Sequence, residues 1–298
     1  MGKTTANRRQ VIVGTTAALL TMPLSMSTAR VLAQVSGQLV IAFIPQENLE
    51  KQNADVKAIT AWLSSAIKTP VRGFVTENLA AAVEALQSRE ADVSFMGALP
   101  YVVANQKIGA EIVLSEIYRG KPGYSGRIFV RRNGPIRKLA DLKGKAIAFS
   151  DPLSESGYLY PLDLFVEQGL LQRDEAPERF FGRVFFAGGY QQAIQAVADG
   201  HVDAAGASQY ADLLLSPEQQ AEVHWIAESP QIPSHGVVVR KGLAVELREK
   251  FVAAMMRLNV PKNRHLLKHV YNPDGYVAPD TAAYDGVRKL ATAYGLLK

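Results

Sequence analysis

Short apolar runs alternate along this chain with longer segments in which apolar side chains recur every three or four residues. These are the periods of strand and helix. Leu39-Val-Ile-Ala-Phe43 reads as a first buried strand. Val56, Ile59, Trp62, Leu63 and Ile67 fall on one helical face and predict a helix over Asp55 to Ile67. Val71 to Val75 predicts the next strand, Leu79 to Gln87 a helix, Asp92 to Gly97 a strand, and Ala98 to Gln106 the start of another helix. After the Gly- and Pro-rich stretch Arg119-Gly-Lys-Pro-Gly123 the rhythm resumes. Arg127 to Val130, Ala146 to Phe149, Arg183 to Phe186, Val202 to Gly206, Val223 to Ile226 and Gly236 to Arg240 read as strands. Leu162 to Gln168, Gln191 to Asp199 and Gln209 to Leu215 read as helices, followed by Val245 to Leu258, Lys262 to His269 and Thr281 to Leu296. This alternation predicts α/β architecture, with no low-complexity tract and no convincing internal repeat.

One junction in this pattern carries candidate chemistry. Ala146 to Phe149 leads into Asp151-Pro-Leu-Ser-Glu-Ser-Gly-Tyr-Leu-Tyr-Pro161, so a strand delivers two serines and a glycine to the start of a helix. Unpaired N–H groups and the positive end of the helix dipole can hold a small oxyanion there without lysine or arginine. Ser154 or Ser156 serving only as a helix cap is the plainer alternative. Two hydroxyls flanking an acid, with Gly157 permitting close backbone approach, favour a ligand site.

Charge changes the picture once the N-terminus is set aside. Lys3, Arg8 and Arg9 precede a modestly apolar stretch from Val11 to Leu24, and Val31-Leu-Ala33 ends it with small residues, so residues 1–33 read as an export signal. Asn7-Arg-Arg-Gln-Val-Ile12 resembles a twin-arginine signal. The apolar core falls short of the roughly 20 residues a bilayer span needs, an uncleaved anchor being the alternative. The formal charge of the whole chain is +5. Residues 1–33 hold four Lys/Arg and no acid, which leaves 29 basic against 28 acidic residues in the rest. A nucleic-acid surface is therefore not expected. The chain has no cysteine, which excludes disulfides, thiol catalysis and thiolate metal sites. The 265 residues after the leader suffice for one large domain or two lobes.

The order of motifs resembles the periplasmic substrate-binding proteins of phosphonate and phosphite ABC transporters. The landmarks are Ala91-Asp-Val-Ser-Phe-Met-Gly97, Pro122-Gly-Tyr-Ser125, Leu139-Ala-Asp-Leu-Lys-Gly-Lys145 and the Ser-x-Ser-Gly element within Asp151 to Leu159. Gly200-His-Val-Asp-Ala204 and Ser229-Pro-Gln-Ile-Pro233 before Val237-Val-Val-Arg-Lys241 complete the series. The resemblance implies a two-lobed type II periplasmic-binding-protein fold, α/β, with doubly wound sheets joined by a two-strand hinge near Tyr124–Arg127 and His235–Val238. Lobe 1 would comprise residues 38–124 plus 236–298, and lobe 2 residues 125–235. It further implies a monomeric, non-enzymatic periplasmic protein without cofactor or metal. Such a protein would capture phosphite, phosphate or a simple phosphonate and deliver it to an ABC permease.

Carried over residue by residue, the resemblance makes Ser154, Ser156 and Gly157 the oxyanion-binding element and Tyr124 a cleft hydrogen-bond donor. Met96 and Gly97 stand where lobe 1 offers another contact, although the family has a common tyrosine at Met96. Tyr190 stands at a frequent histidine. Tyr210 and His235 replace two carboxylates that grip an aminoalkyl ammonium group, which argues against 2-aminoethylphosphonate. Glu155 replaces the usual threonine, and a carboxylate beside an oxyanion is unfavourable unless one is protonated or the side chain turns away. Two readings follow: Glu155 faces solvent and pairs with a surface cation, or it accepts a proton from an acidic or neutral ligand.

Other residues carry weaker signals. Arg127 could complement the ligand or Glu155, or be a solvated strand-end charge. One of Tyr158 and Tyr160 is expected under the helix and the other at the cleft. Gly188-Gly189 resembles a second anion-binding turn or a tight connection. His201, His224, His265 and His269 show no shared metal-ligand pattern. A related exported sensor of arsenite or a phosphorus oxyanion, reporting to a membrane histidine kinase, is the alternative function. Without a G-x-S-x-G elbow or cofactor fingerprint, catalysis by Ser154 and His235 is disfavoured.

Overall fold

The computed structural model describes residues 37–297 apart from 47 and 273, so the expected leader at 1–33 lies outside the described residues. β1 (Leu39–Phe43) is flanked on both edges by parallel partners, β2 (Val71–Val75) on one side and β3 (Val93–Met96) on the other. Its alternation sends Ile41 and Phe43 into the core on one face and Ala42 into that on the other. Between β1 and β2, α1 (Leu49–Ile67) buries Val56, Ile59, Leu63 and Ile67, the stripe read from the sequence. It begins at Leu49 rather than Asp55 because Asn48 accepts from the N–H groups of Glu50 and Lys51, capping a first turn whose polar residues carry no apolar signal. α2 (Leu79–Gln87) and α3 (Ala98–Ile108) flank β3, and β4 (Glu111–Glu116) follows.

The chain then crosses between lobes through β5 (Gly123–Tyr124) into β6 (Gly126–Arg131). The second lobe contains β7 (Ala146–Phe149), α4 (Tyr160–Glu167), β8 (Arg183–Phe186), α5 (Tyr190–Ala198), β9 (Ala204–Ser208), α6 (Pro217–Glu222) and β10 (Val223–Glu228). It returns through β11 (Ile232–Pro233) to β12 (Gly236–Val239), α7 (Val245–Met256), β13 (Tyr276–Val277) and α8 (Asp285–Ala293).

The first sheet runs β13-β4-β12-β3-β1-β2 and the second β10-β6-β9-β7-β8. Between them lies a two-stranded ladder in which Ile232 opposes Tyr124 and Pro233 opposes Gly123. Each sheet is packed on both faces. Met96, Leu99 and Val102 fill one side of the first sheet, and Phe95, Val93 and Phe251 the other. Phe149, Phe165 and Phe181 fill one side of the second, and Phe129, Ile194 and Val197 the other. Burial on both faces explains why the strands read as continuous apolar runs.

Several expected helices take other forms. Gln209 to Leu215 is a 3-10 turn over Ala211–Leu214, and Lys262 to His269 lies in a 3-10 segment, Pro261–Val270. Thr281 to Leu296 divides into a 3-10 turn, Thr281–Tyr284, and α8. The strand expected at Val202 to Gly206 is shifted to Ala204–Ser208. Among the described residues no helix is long and apolar enough to cross a membrane.

Candidate functional site

β7 delivers its C-terminal end to a tight turn that passes through a π-helical segment, Glu155–Leu159, directly into α4. The turn is held by its own side chain, for Ser154 Oγ accepts the Gly157 N–H at 2.9 Å. Gly157 is required by proximity: a Cβ there would overlap Ser150 Oγ and lie 2.8 Å from Ser154 Oγ. Ser154 therefore takes the capping role, and the Gly157 N–H, expected from the sequence to hold a ligand oxygen, is already bonded. Gly126 on β6 similarly lets the Ser156 carbonyl rest against the strand, where a Cβ would overlap it.

The hydroxyls converge on one ring. Ser156 Oγ and Tyr190 Oη are 2.7 Å apart, and Ser154 Oγ donates to the same Tyr190 oxygen at 3.4 Å. Tyr190 opens α5 directly after Gly188-Gly189, which brings its hydroxyl back over the serine turn. Burial, reinforced by the Glu155 charge, pushes the Tyr190 phenol up to about 12, so it stays a hydrogen-bond donor at physiological pH.

Glu155 is 1% exposed and points across the cleft, which overturns the solvent-facing reading. Tyr124 Oη donates to its Oε1 at 2.6 Å, and the Leu99 N–H donates to its Oε2 at 3.2 Å. Leu99 lies in the first turn of α3, whose N-cap, Gly97, has no side chain to offer. A carboxylate from the second lobe thus caps a helix of the first, where the helix dipole favours negative charge. A Cβ at position 97 would overlap both Glu155 carboxylate oxygens. His235 Nε2 lies 3.8 Å from Glu155 Oε1, and the His235 ring sits edge-on to Tyr124 at 5.6 Å. Burial holds the His235 imidazole below its ordinary range, against the partial counter-pull of Glu155. Burial, with the nearby Glu155 carboxylate adding to it, raises the Tyr124 phenol well above its ordinary range.

Two cavities adjoin this cluster. One of about 20 Å³ lies beside Glu155, Gly97, Asp151 and Ser154. The other, about 240 Å³, is lined by Tyr118, Tyr124, Tyr190, Tyr210, Tyr271, His235 and Glu116. Tyr118 and Tyr210 rings lie 4.0 Å apart, with the Arg119 guanidinium 5.0 Å from the Tyr210 centroid. Burial pushes the Glu116 carboxyl up to about 8.

Of the residues singled out in the sequence, Ser154, Glu155, Ser156, Gly157, Tyr124, Tyr190, His235 and Gly97 come together here, with Tyr210 in the adjoining cavity. Met96 does not: it is fully buried and belongs to the apolar cluster behind β3. Arg127 pairs with Glu228 at 2.9 Å and lies over the Trp225 ring, away from Glu155. Tyr158 packs edge-on to Phe149 and Phe186, while Tyr160 packs against the first-lobe core, so neither lines the cavities. His269 bonds Asp55 at 2.7 Å, and no cluster of three or more metal-capable side chains occurs among the described residues. Sequence reasoning missed Glu116, Tyr118 and the Leu99 N–H. Leu99 contributes only backbone, which no side-chain pattern signals.

A family model described as the periplasmic substrate-binding protein of a phosphonate ABC transporter matches residues 41–284. The phosphate-import protein PhnD of Mycolicibacterium smegmatis is 30% identical over 171 residues, covering 56% of this chain and 53% of that protein. The phosphonates-binding periplasmic protein of Escherichia coli is 28% identical over 210 residues, covering 67% and 60%. The chain thus spans less than two thirds of the curated relatives it matches. Among solved structures, a binding protein component of an ABC phosphonate transporter from Pseudomonas aeruginosa superposes with TM-score 0.77 at 20% identity, covering 87% of each chain. PhnD1 from Prochlorococcus marinus, in complex with methylphosphonate, gives TM-score 0.76 at 15% identity, covering 87% of this chain and 99% of that one. These likenesses agree with the two-lobed type II periplasmic-binding-protein fold.

Proposed function

The chain belongs to the family of periplasmic substrate-binding proteins of phosphonate ABC transporters, and from that premise we propose that it captures a small phosphorus oxyanion in its cleft. Phosphite, phosphate or a simple phosphonate would be delivered to an ABC permease. The twin-arginine-like leader would direct export to the periplasm.

The observation that supports this reading is the seating of an oxyanion group at the lobe junction. The two Glu155 carboxylate oxygens accept from Tyr124 Oη and the Leu99 N–H, and they stand in for two oxygens of a ligand. Ser154, Ser156 and Tyr190 supply further hydroxyls to the same corner. Donors from both lobes meet there, so a bound oxyanion would gain contacts in the closed arrangement that the open one lacks. Such differential contact is what drives hinge closure. Tyr210 and His235 would bound the site on its tyrosine-lined side.

Calorimetric titration of the protein lacking residues 1–33 with phosphite, phosphate and methylphosphonate tests the reading. Binding of at least one, accompanied by a smaller scattering radius, is expected. No heat with any of the three would overturn it.

A further inference from the structure

We infer that Glu155 is the cleft's internal stand-in for its ligand, a carboxylate that must leave the start of α3 before a phosphorus oxyanion can seat there. The inference rests on the reading of this corner as an oxyanion site.

Three observations carry it. First, Glu155 uses the donors an oxyanion would need, the Tyr124 hydroxyl and the Leu99 N–H, from within a 1% exposed position. Second, the space left beside the carboxylate is only about 20 Å³, against about 240 Å³ in the adjoining tyrosine-lined cavity, so Glu155 occupies most of this corner. Third, no lysine or arginine pairs with Glu155 among the described residues, so the corner offers no cation to hold a second oxyanion beside the carboxylate. Ligand oxygens and Glu155 oxygens are alternatives.

The same turn bridges the lobes a second time. Asp151 Oδ2 accepts from the Leu79 N–H at 3.4 Å, at the start of α2, while its Oδ1 accepts from Leu153 within the turn. Two carboxylates of the second lobe therefore reach two helix starts of the first. Together they tie the two lobes across the cleft. The 240 Å³ cavity shares Gln46, Tyr190 and His235 with the smaller one, which gives the displaced Glu155 side chain somewhere to swing. Glu155 thereby sets specificity: only an oxyanion whose contacts exceed those of the resident carboxylate displaces it.

The chain lacks cysteine, so single cysteines at the exposed positions Lys57 and Asp174, one on each lobe, can carry spin labels. Without ligand, Glu155→Ala is expected to lengthen or broaden the interlobe distance relative to the parent. Glu155→Gln, which keeps the side-chain shape, should open it less. Coincident distance distributions for the parent and Glu155→Ala, both folded by circular dichroism, would overturn the inference. In calorimetry Glu155→Ala should bind methylphosphonate about tenfold tighter than the parent, the factor imposed by a roughly nine-to-one preference for the latched state. Equal or weaker binding by the variant, with the parent binding well, would also overturn it while leaving the oxyanion reading intact. An opened variant that binds no phosphorus oxyanion, like its parent, would instead sink that reading and leave the latch standing.

Discussion

The Tyr124 hydroxyl donates to Glu155 Oε1 at 2.6 Å, which joins a residue of the hinge ladder to a carboxylate of the second lobe in one hydrogen bond. Because Glu155 is fully buried, losing this donor leaves one carboxylate oxygen short of a partner. Tyr124→Phe is expected to destabilise the protein by about 1.5–3 kcal/mol, the usual range for a hydrogen bond to a charged group. Urea unfolding of the ligand-free protein measures it, and an unchanged midpoint would remove Tyr124 from the site's support.

Gly97 is small because Glu155 is close. Gly97→Ala would place a methyl group on the carboxylate oxygens, and a cost of about 1–3 kcal/mol is expected from the forced displacement. In a Glu155→Ala background the same substitution should be nearly neutral, within about 0.5 kcal/mol. A double-mutant cycle by chemical denaturation reads the coupling directly, and additive effects would refute the contact.

Glu116 gives the stability a pH dependence of defined sign. Burial raises its carboxyl from 4.5 to about 8, so the folded chain holds this proton more tightly than the unfolded chain does. Its contribution is complete below the unfolded value of 4.5 and is lost as the pH rises through about 8. Glu116→Gln, which cannot lose a proton, should show a shallower decline across that window than the parent. Unfolding midpoints at both ends of the window test this, and parallel declines would contradict it.

Tyr190 and Tyr210 should separate in their effects on binding. Tyr190→Phe removes the oxygen on which both serines converge, and about tenfold weaker phosphite or methylphosphonate binding is expected for one lost hydrogen bond to charge. Tyr210→Phe keeps the ring contact with Tyr118 and should change affinity far less. Calorimetry on both variants provides the comparison, with equal losses arguing against a special role for Tyr190.

Short strands were the most legible part of the chain. β2, β7 and β8 occupy the ranges their apolar runs predicted, and α1 shows the expected stripe. Elements with little apolar content were hidden. α6 is built from Pro-Glu-Gln-Gln-Ala-Glu and starts from a Ser216–Gln219 capping box, so its order comes from caps rather than burial. β4 begins and ends in glutamate, and only Ile112, Val113 and Leu114 mark it between. The serine turn was legible as a strand-to-helix junction because Ser, Gly and Pro have local meaning. The direction of Glu155 was not, since its partners lie 31 and 56 positions away in the chain, and one of them is a backbone N–H. Met96 misled because family position says nothing about which face of β3 a side chain takes. In this chain it faces the core.

The ladder between the lobes is only two residues long on each strand, and Tyr124 is one of them. A residue on the pivot travels little while the lobes swing, whereas the start of α3 moves with its whole lobe. Opening therefore breaks the two contacts of Glu155 unequally: the bond to Leu99 is stretched apart while the tether to Tyr124 persists. The carboxylate stays moored at the axle of the movement. On the proposed reading, an arriving oxyanion would win the Leu99 N–H first and the Tyr124 hydroxyl last.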